Sequence, residues 1–196
     1  MQAARGAPLS SSGRSSPSRP GDRRTSRLLL WAVTVVLLVV DQTTKHLAET
    51  HLVIGETKPI LGDLLGLRLV YNPGAAFSMG TSATELLTGF ACIAAIVVLV
   101  LSFRVSSRLW AVGLGFLLAG IAGNLTDRLF REPGFFRGHV VDFLALPNFP
   151  VFNVADMCIN VAAFVIIVQA VRGIRLDGSR EAAEEKTTEL PGSNDE

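Results

Sequence analysis

The side chains of this sequence that could do chemistry are few, and they fall in three apolar segments and one loop. Asp41 and Lys45 are four residues apart, on one helical face. Asn124 and Asp127 share a face at i, i+3 within Gly123-Asn124-Leu125-Thr126-Asp127-Arg128. Asn153, Asp156 and Asn160 stand at i, i+3 and i+7 and form a polar stripe on an otherwise apolar segment. Asp142 follows two valines shortly before that stripe. No serine–histidine or cysteine–histidine arrangement offers a nucleophile. His46, His51 and His139 match no zinc-ligand spacing, so no metal is expected. What remains is carboxylate chemistry. Two aspartates held close cannot both ionise cheaply, so they share a proton. One then takes a proton from water while the other protonates a substrate carbonyl. The spacing favours Asp156 with either Asp142 or Asp127 and does not choose between those two.

Apolar helices must position these groups. Of 196 residues, 49% are hydrophobic and only 18% charged, against roughly a quarter charged in ordinary soluble domains. Mean hydropathy is +0.42. These values argue against a soluble enzyme and a disordered protein, and a net charge of +1 leaves no basic face for nucleic acid. Cys92 and Cys158 both lie in apolar runs and read as inert thiols rather than a disulfide framework.

Crossing a bilayer takes roughly 20 mostly apolar residues, and backbone polarity forces such segments to be helical. Four stretches qualify, near 28–47, 86–103, 109–125 and 152–171. The expected fold is an α-helical polytopic membrane protein with four transmembrane helices. Its domain plan is a disordered tail at 1–27, a membrane domain at 28–172 and a polar tail at 173–196. Arginines gather before the first helix, between the second and third (Arg104, Arg108), and after the fourth (Arg172, Arg175, Arg180). The positive-inside rule makes that side, with both termini, cytoplasmic. Loops 48–85 and 129–151 then face outward. Alternation in Leu67-Arg68-Leu69-Val70-Tyr71, punctuated by Gly55, Gly62 and Gly66, predicts a small β-sheet at the outer membrane surface.

With this topology every polar cluster lies near the outer leaflet. Asp156 is roughly 6 Å inside its span at 1.5 Å per residue. An ion-coupled carrier would need polar groups continued across the membrane, and the inner halves of the spans are nearly pure apolar. A scaffold subunit would not need carboxylates gathered at one depth. The paired YD and GxGD motifs of presenilin-type proteases are absent. Gly115, Ala119 and Gly123 form a small-residue stripe that permits close helix approach.

Five blocks in order resemble the signal peptidase II (lipoprotein signal peptidase) family. They are Asp41-Gln42-Thr43-Thr44-Lys45, Asn72-Pro73-Gly74-Ala75-Ala76-Phe77, Gly123-Asn124-Leu125-Thr126-Asp127-Arg128, Val140-Val141-Asp142-Phe143 and Phe152-Asn153-Val154-Ala155-Asp156. The resemblance covers about residues 28–172. It implies an aspartic endopeptidase of the bacterial plasma membrane that removes signal peptides from prolipoproteins, cutting before a diacylglyceryl-modified cysteine. By motif position it makes Asp142 and Asp156 the catalytic pair. Asn72, Gly74, Asn124, Asp127, Arg128, Asn153 and Asn160 become supporting or substrate-binding residues, and Asp41 with Lys45 a structural pair. The implied partners are lipidated prolipoproteins and membrane lipid; no cofactor is needed, and a monomer is expected. The segment 130–138 is longer than the family connection, and Pro147 and Pro150 restrict the link from Asp142 to Asn153.

Overall fold

The computed structural model describes residues 20–74 and 81–180. The chain runs α1 (Pro20–His51), β1 (Thr57–Leu61), β2 (Leu65–Asn72), α2 (Thr81–Ser102), α3 (Arg108–Phe130), β3 (Val140–Ala145) and α4 (Val154–Val171). All four helices are long and apolar enough to cross a membrane. Large apolar side chains such as Val36, Val39, Phe90, Ile96, Phe164 and Ile167 point outward, as expected of helices solvated by lipid rather than water.

The glycine-rich helix α3 is central, with α1, α2 and α4 packed against it. Its small residues explain this place. A Cβ on Gly115 would meet the Leu30 carbonyl at 2.9 Å, and one on Gly120 the Ala155 carbonyl at 2.5 Å. The small-residue stripe therefore serves internal packing of α3 against α1 and α4. One core cluster, toward the end away from the sheet, joins Leu30, Val98, Val105, Ala111, Leu114 and Leu118. A second, at the opposite end, joins Ala48 of α1 to Leu69, Val141 and Phe143 of the sheet.

The sheet is antiparallel in the order β1-β2-β3. Val70 pairs with Asp142 and Asn72 with Val140, with an irregularity between Leu67 and Val70. The sheet expected from the first long loop thus takes its third strand from the second. Asp142, expected in a loop, lies on that strand. Pairing with β2 satisfies backbone groups that would otherwise sit buried and unbonded.

Helix and hydrogen bonding extend into the inner edges of both expected tails, at 20–27 and 173–180. Helix α1 starts at Pro20, a residue suited to a first helical turn. Ser26 Oγ donates to the Ser106 carbonyl at 2.6 Å and Arg27 Nη2 to the Phe103 carbonyl at 2.5 Å. At the other terminus, Ser106 and Ser107 donate backbone N–H groups to the Leu176 carbonyl, and Trp110 Nε1 donates to the Ile174 carbonyl. Segments 20–27 and 173–180 are thus fastened to the link between α2 and α3. Residues 1–19 and 181–196 lie outside the described residues, as do Ala75, Ala76 and Phe77 of the second block.

Candidate active site

Two linked polar clusters occupy the sheet end of the bundle. The first is an ionic node. Lys45 Nζ lies 2.9 Å from Asp41 Oδ2 and 2.7 Å from Asp127 Oδ2, and all three side chains are essentially fully buried. Arg131 Nε donates to Asp127 Oδ1 at 2.7 Å, while Arg131 Nη1 reaches Glu49 at 2.5 Å. Gln42 Nε2 adds bonds to Asp41 Oδ2 and the Gly123 carbonyl, each at 3.1 Å. Lys45 thus contacts both buried carboxylates, and Arg131 links Asp127 to Glu49.

The second cluster is made of amides and acids. Asp142 Oδ1 accepts from Asn153 Nδ2 at 2.6 Å, and Asp142 Oδ2 from Asn72 Nδ2 at 2.9 Å. Asp156 Oδ1 accepts from Asn124 Nδ2 at 2.9 Å, and Asp156 Oδ2 from the Asn153 backbone N–H at 3.1 Å. Asn153 is the N-cap of α4, and its side-chain oxygen takes the Asp156 N–H at 3.0 Å. Asn153 and Asp156 thus make a reciprocal capping box, which fixes the acid against the helix start. Asn153 then reaches across to β3, so one amide touches both acids. Each carboxyl oxygen of the two acids receives its bond from a neutral amide. Burial, first, pushes the Asp142 carboxyl up to about 6; the Asn72 and Asn153 bonds oppose this, the Asp156 charge adds to it, and the Lys45 charge opposes it.

Asn124 joins the clusters, since its Oδ1 accepts from Lys45 Nζ at 3.0 Å and from Asn153 Nδ2 at 3.1 Å. Gly74 serves the site through its backbone: at φ +92 its N–H donates to Asn72 Oδ1 at 2.8 Å, orienting that amide toward Asp142. Arg128 lies within electrostatic reach of Asp142, Asp127 and Asp156. Its buried Nη1 has no hydrogen-bond partner.

Of the residues singled out from sequence, the structure brings Asp142, Asp156, Asn72, Asn124, Asn153 and Lys45 into one bonded network, with Asp41 and Asp127 tied in through Lys45. Asn160 is exposed, one turn along α4 from Asp156, and its amide donates to the Asp156 backbone carbonyl at 2.9 Å. Sequence reading missed Gln42, Glu49 and Arg131. The i, i+4 spacing of Asp127 and Arg131 was a usable signal; the contact to Glu49, 82 residues away, was not. Among the described residues no group of histidine, cysteine and acidic side chains is arranged to hold a metal ion.

The sequence profile described as Signal peptidase (SPase) II matches residues 33–172. A lipoprotein signal peptidase of Rhodococcus jostii (strain RHA1) is 44% identical over 170 residues, covering 87% of this chain and 85% of that protein. One of Mycobacterium avium (strain 104) is 44% identical over 169 residues, covering 85% of this chain and 93% of that protein. A solved bacterial membrane enzyme superposes with a TM-score of 0.66 at 25% identity, covering 76% of this chain and 94% of its own.

Proposed function

The chain belongs to the signal peptidase II family, and from that premise we propose that it is an aspartic endopeptidase that cuts prolipoproteins before a diacylglyceryl-modified cysteine, with Asp142 and Asp156 as its acid–base pair. One observation carries this reading. Asp41 and Asp127 are in direct contact with cations, whereas Asp142 and Asp156 take their bonds from neutral amides alone. A carboxylate bonded to an ammonium or guanidinium gives poor service as a proton carrier. A neighbouring pair free of such contacts, with one member buried, can hold one proton between its members.

Arg128 lies within electrostatic reach of both acids, and a singly protonated pair offers it one negative charge. In that state the ionised member takes a proton from water as the water oxygen bonds to the scissile carbonyl carbon. The protonated member gives its proton to the carbonyl oxygen, leaving a neutral gem-diol. In the collapse the member now ionised takes a proton from one gem-diol hydroxyl as the carbonyl reforms and the C–N bond breaks, and the other member gives its proton to the departing cysteine nitrogen, which returns the pair to its singly protonated state. The unpartnered Arg128 Nη1 offers a hydrogen bond to a substrate carbonyl.

Lipid sets the depth of the cut. Each buried methylene of the diacylglyceryl group contributes about 0.8 kcal/mol of membrane anchoring, so the modified cysteine stays at the leaflet surface. The arginine-bearing segments 23–27, 104–108 and 172–180 meet at the end opposite the sheet. The positive-inside rule makes that end cytoplasmic and puts the acids at the outer leaflet.

Incubating purified protein with a diacylglyceryl-modified prolipoprotein tests the proposal. Release of the signal peptide, with poor cleavage of the unmodified precursor, is the expected result. Equal rates on both precursors would remove lipid-guided positioning, and no cleavage of either would remove the proposal.

A further inference from the structure

The peptides that carry Asp142 and Asp156 into place are each held by a carboxylate of the ionic node. Ala155, immediately before Asp156, donates its N–H to Asp41 Oδ1 at 2.8 Å. Val141, immediately before Asp142, donates its N–H to Asp127 Oδ2 at 3.2 Å. The two anchoring acids come from different helices, α1 and α3, and the two anchored segments from α4 and β3. One atom ties them together. Lys45 Nζ contacts Asp41 Oδ2, Asp127 Oδ2 and, at 3.0 Å, Asn124 Oδ1. An ammonium has three hydrogens, and these acceptors use all three. A helix-end ion pair would need only the first contact. The other two lead to Val141 and, through Asn124 Nδ2, to Asp156.

We propose that Lys45 is a positioning residue for the cleavage reaction, setting the separation of Asp142 and Asp156 by holding Asp41, Asp127 and Asn124 on one ammonium. The inference rests on reading that acid pair as catalytic. Lys45 itself touches no carboxyl oxygen of the pair; it acts through the peptides before them and through Asn124. Lysine suits the task because its three donors diverge from one atom, whereas arginine presents a planar fork. Sharing a proton and a water between two acids tolerates little displacement, and an error of about 1 Å lowers turnover by roughly 100-fold.

Two variants test this on the diacylglyceryl-modified precursor. Lys45→Met removes the node but leaves Asp41 without a cation. The double variant Asp41→Asn/Lys45→Met restores charge balance: Asp127 keeps Arg131, and the new amide oxygen can still accept the Ala155 N–H. If the single variant does not fold, the double one decides. Both are expected to lose about 100-fold in kcat, with KM little changed. The pH–rate profile supplies a readout that misfolding does not move. Asp142 is faced by Asn72 from β2, Asn153 and Asp156 from α4, Arg128 from α3 and Lys45 from α1. The Lys45 charge holds the Asp142 proton affinity down, so in Lys45→Met the limb set by Asp142 moves to higher pH. A folded double variant with wild-type kcat, or a folded Lys45→Met protein whose limb does not move, overturns the inference. Wild-type protein and Asp142→Asn run alongside separate the two levels. Cleavage by Asp142→Asn, or none by wild type, overturns the reading of the pair and this inference with it. A cleaving wild type and an inactive Asp142→Asn leave the Lys45 variants to test the inference alone.

Discussion

Replacing Asp142 with asparagine separates what the acid does for turnover from what it does to stability. Its carboxyl sits at about 6 in the folded protein, against 3.8 when free, chiefly because it is buried. The folded value is the higher one. The stability associated with this group is therefore intact below pH 3.8 and is lost as pH rises through 6. A shift of about two units at 1.36 kcal/mol each means that ionised Asp142 costs about 3 kcal/mol at pH 8. The side chain is only 2% exposed, so solvent screening does not reduce that figure. Asparagine is nearly isosteric and carries no charge. Its amino group would face an amino group of Asn72 or Asn153, whose side-chain oxygens are already taken by the Gly74 and Asp156 N–H groups. That mismatch offsets about 1 kcal/mol. Asp142→Asn should therefore be more stable than wild type by about 2 kcal/mol at pH 8, roughly 4–8 °C in Tm. At pH 4 it should be no more stable than wild type. Thermal unfolding in detergent, followed by tryptophan fluorescence, measures the difference. An equal Tm difference at pH 4 and pH 8 would refute the reasoning, because the whole effect is assigned to ionisation.

Two further expectations concern packing and topology. Gly120→Ala would put a methyl 2.5 Å from the Ala155 carbonyl oxygen and 2.6 Å from Ile159 Cγ1. It should cost about 1–3 kcal/mol and slow cleavage, since Ala155 precedes Asp156; an unchanged Tm would show slack between α3 and α4. Cysteine placed at the exposed positions Arg104 and Leu64 should label from opposite sides of intact cells. Only Leu64→Cys should react with an impermeant reagent from outside, and labelling of Arg104→Cys there would reverse the orientation.

How far the sequence was readable depended on the range of each interaction. The four spans follow from hydropathy, because a bilayer imposes length and composition locally. The central place of α3 was foreshadowed by Gly115, Ala119 and Gly123, whose missing side chains matter only where another helix comes close. Asn153 and Asp156 were readable as neighbours at i, i+3, and the structure turns that spacing into a capping box. Asp142 on a strand was not readable. Four residues, Val140 to Phe143, hold no period long enough to weigh, and their conformation is imposed by β2 and by Asp127 bonding the Val141 N–H. The choice between Asp127 and Asp142 also lay beyond spacing. What separates them is the Lys45 contact to Asp127, made across 82 positions of the chain, which no local pattern reports. The helical beginnings of 20–27 and the docked segment 173–180 were hidden for the same reason. Their polar composition reads as unstructured, and partners in the α2–α3 link order them.

The central claim is that Asp142 and Asp156 together activate the water that cuts the substrate. The most direct measurement is cleavage of a diacylglyceryl-modified prolipoprotein by Asp142→Asn, Asp156→Asn and the double variant, each checked for folding by its thermal transition. An amide can neither take the water proton nor donate as an acid, so each single variant should be inactive. The double variant should be no worse than either, because the pair acts as one device. Substantial cleavage by a folded Asp142→Asn or Asp156→Asn protein would contradict the account.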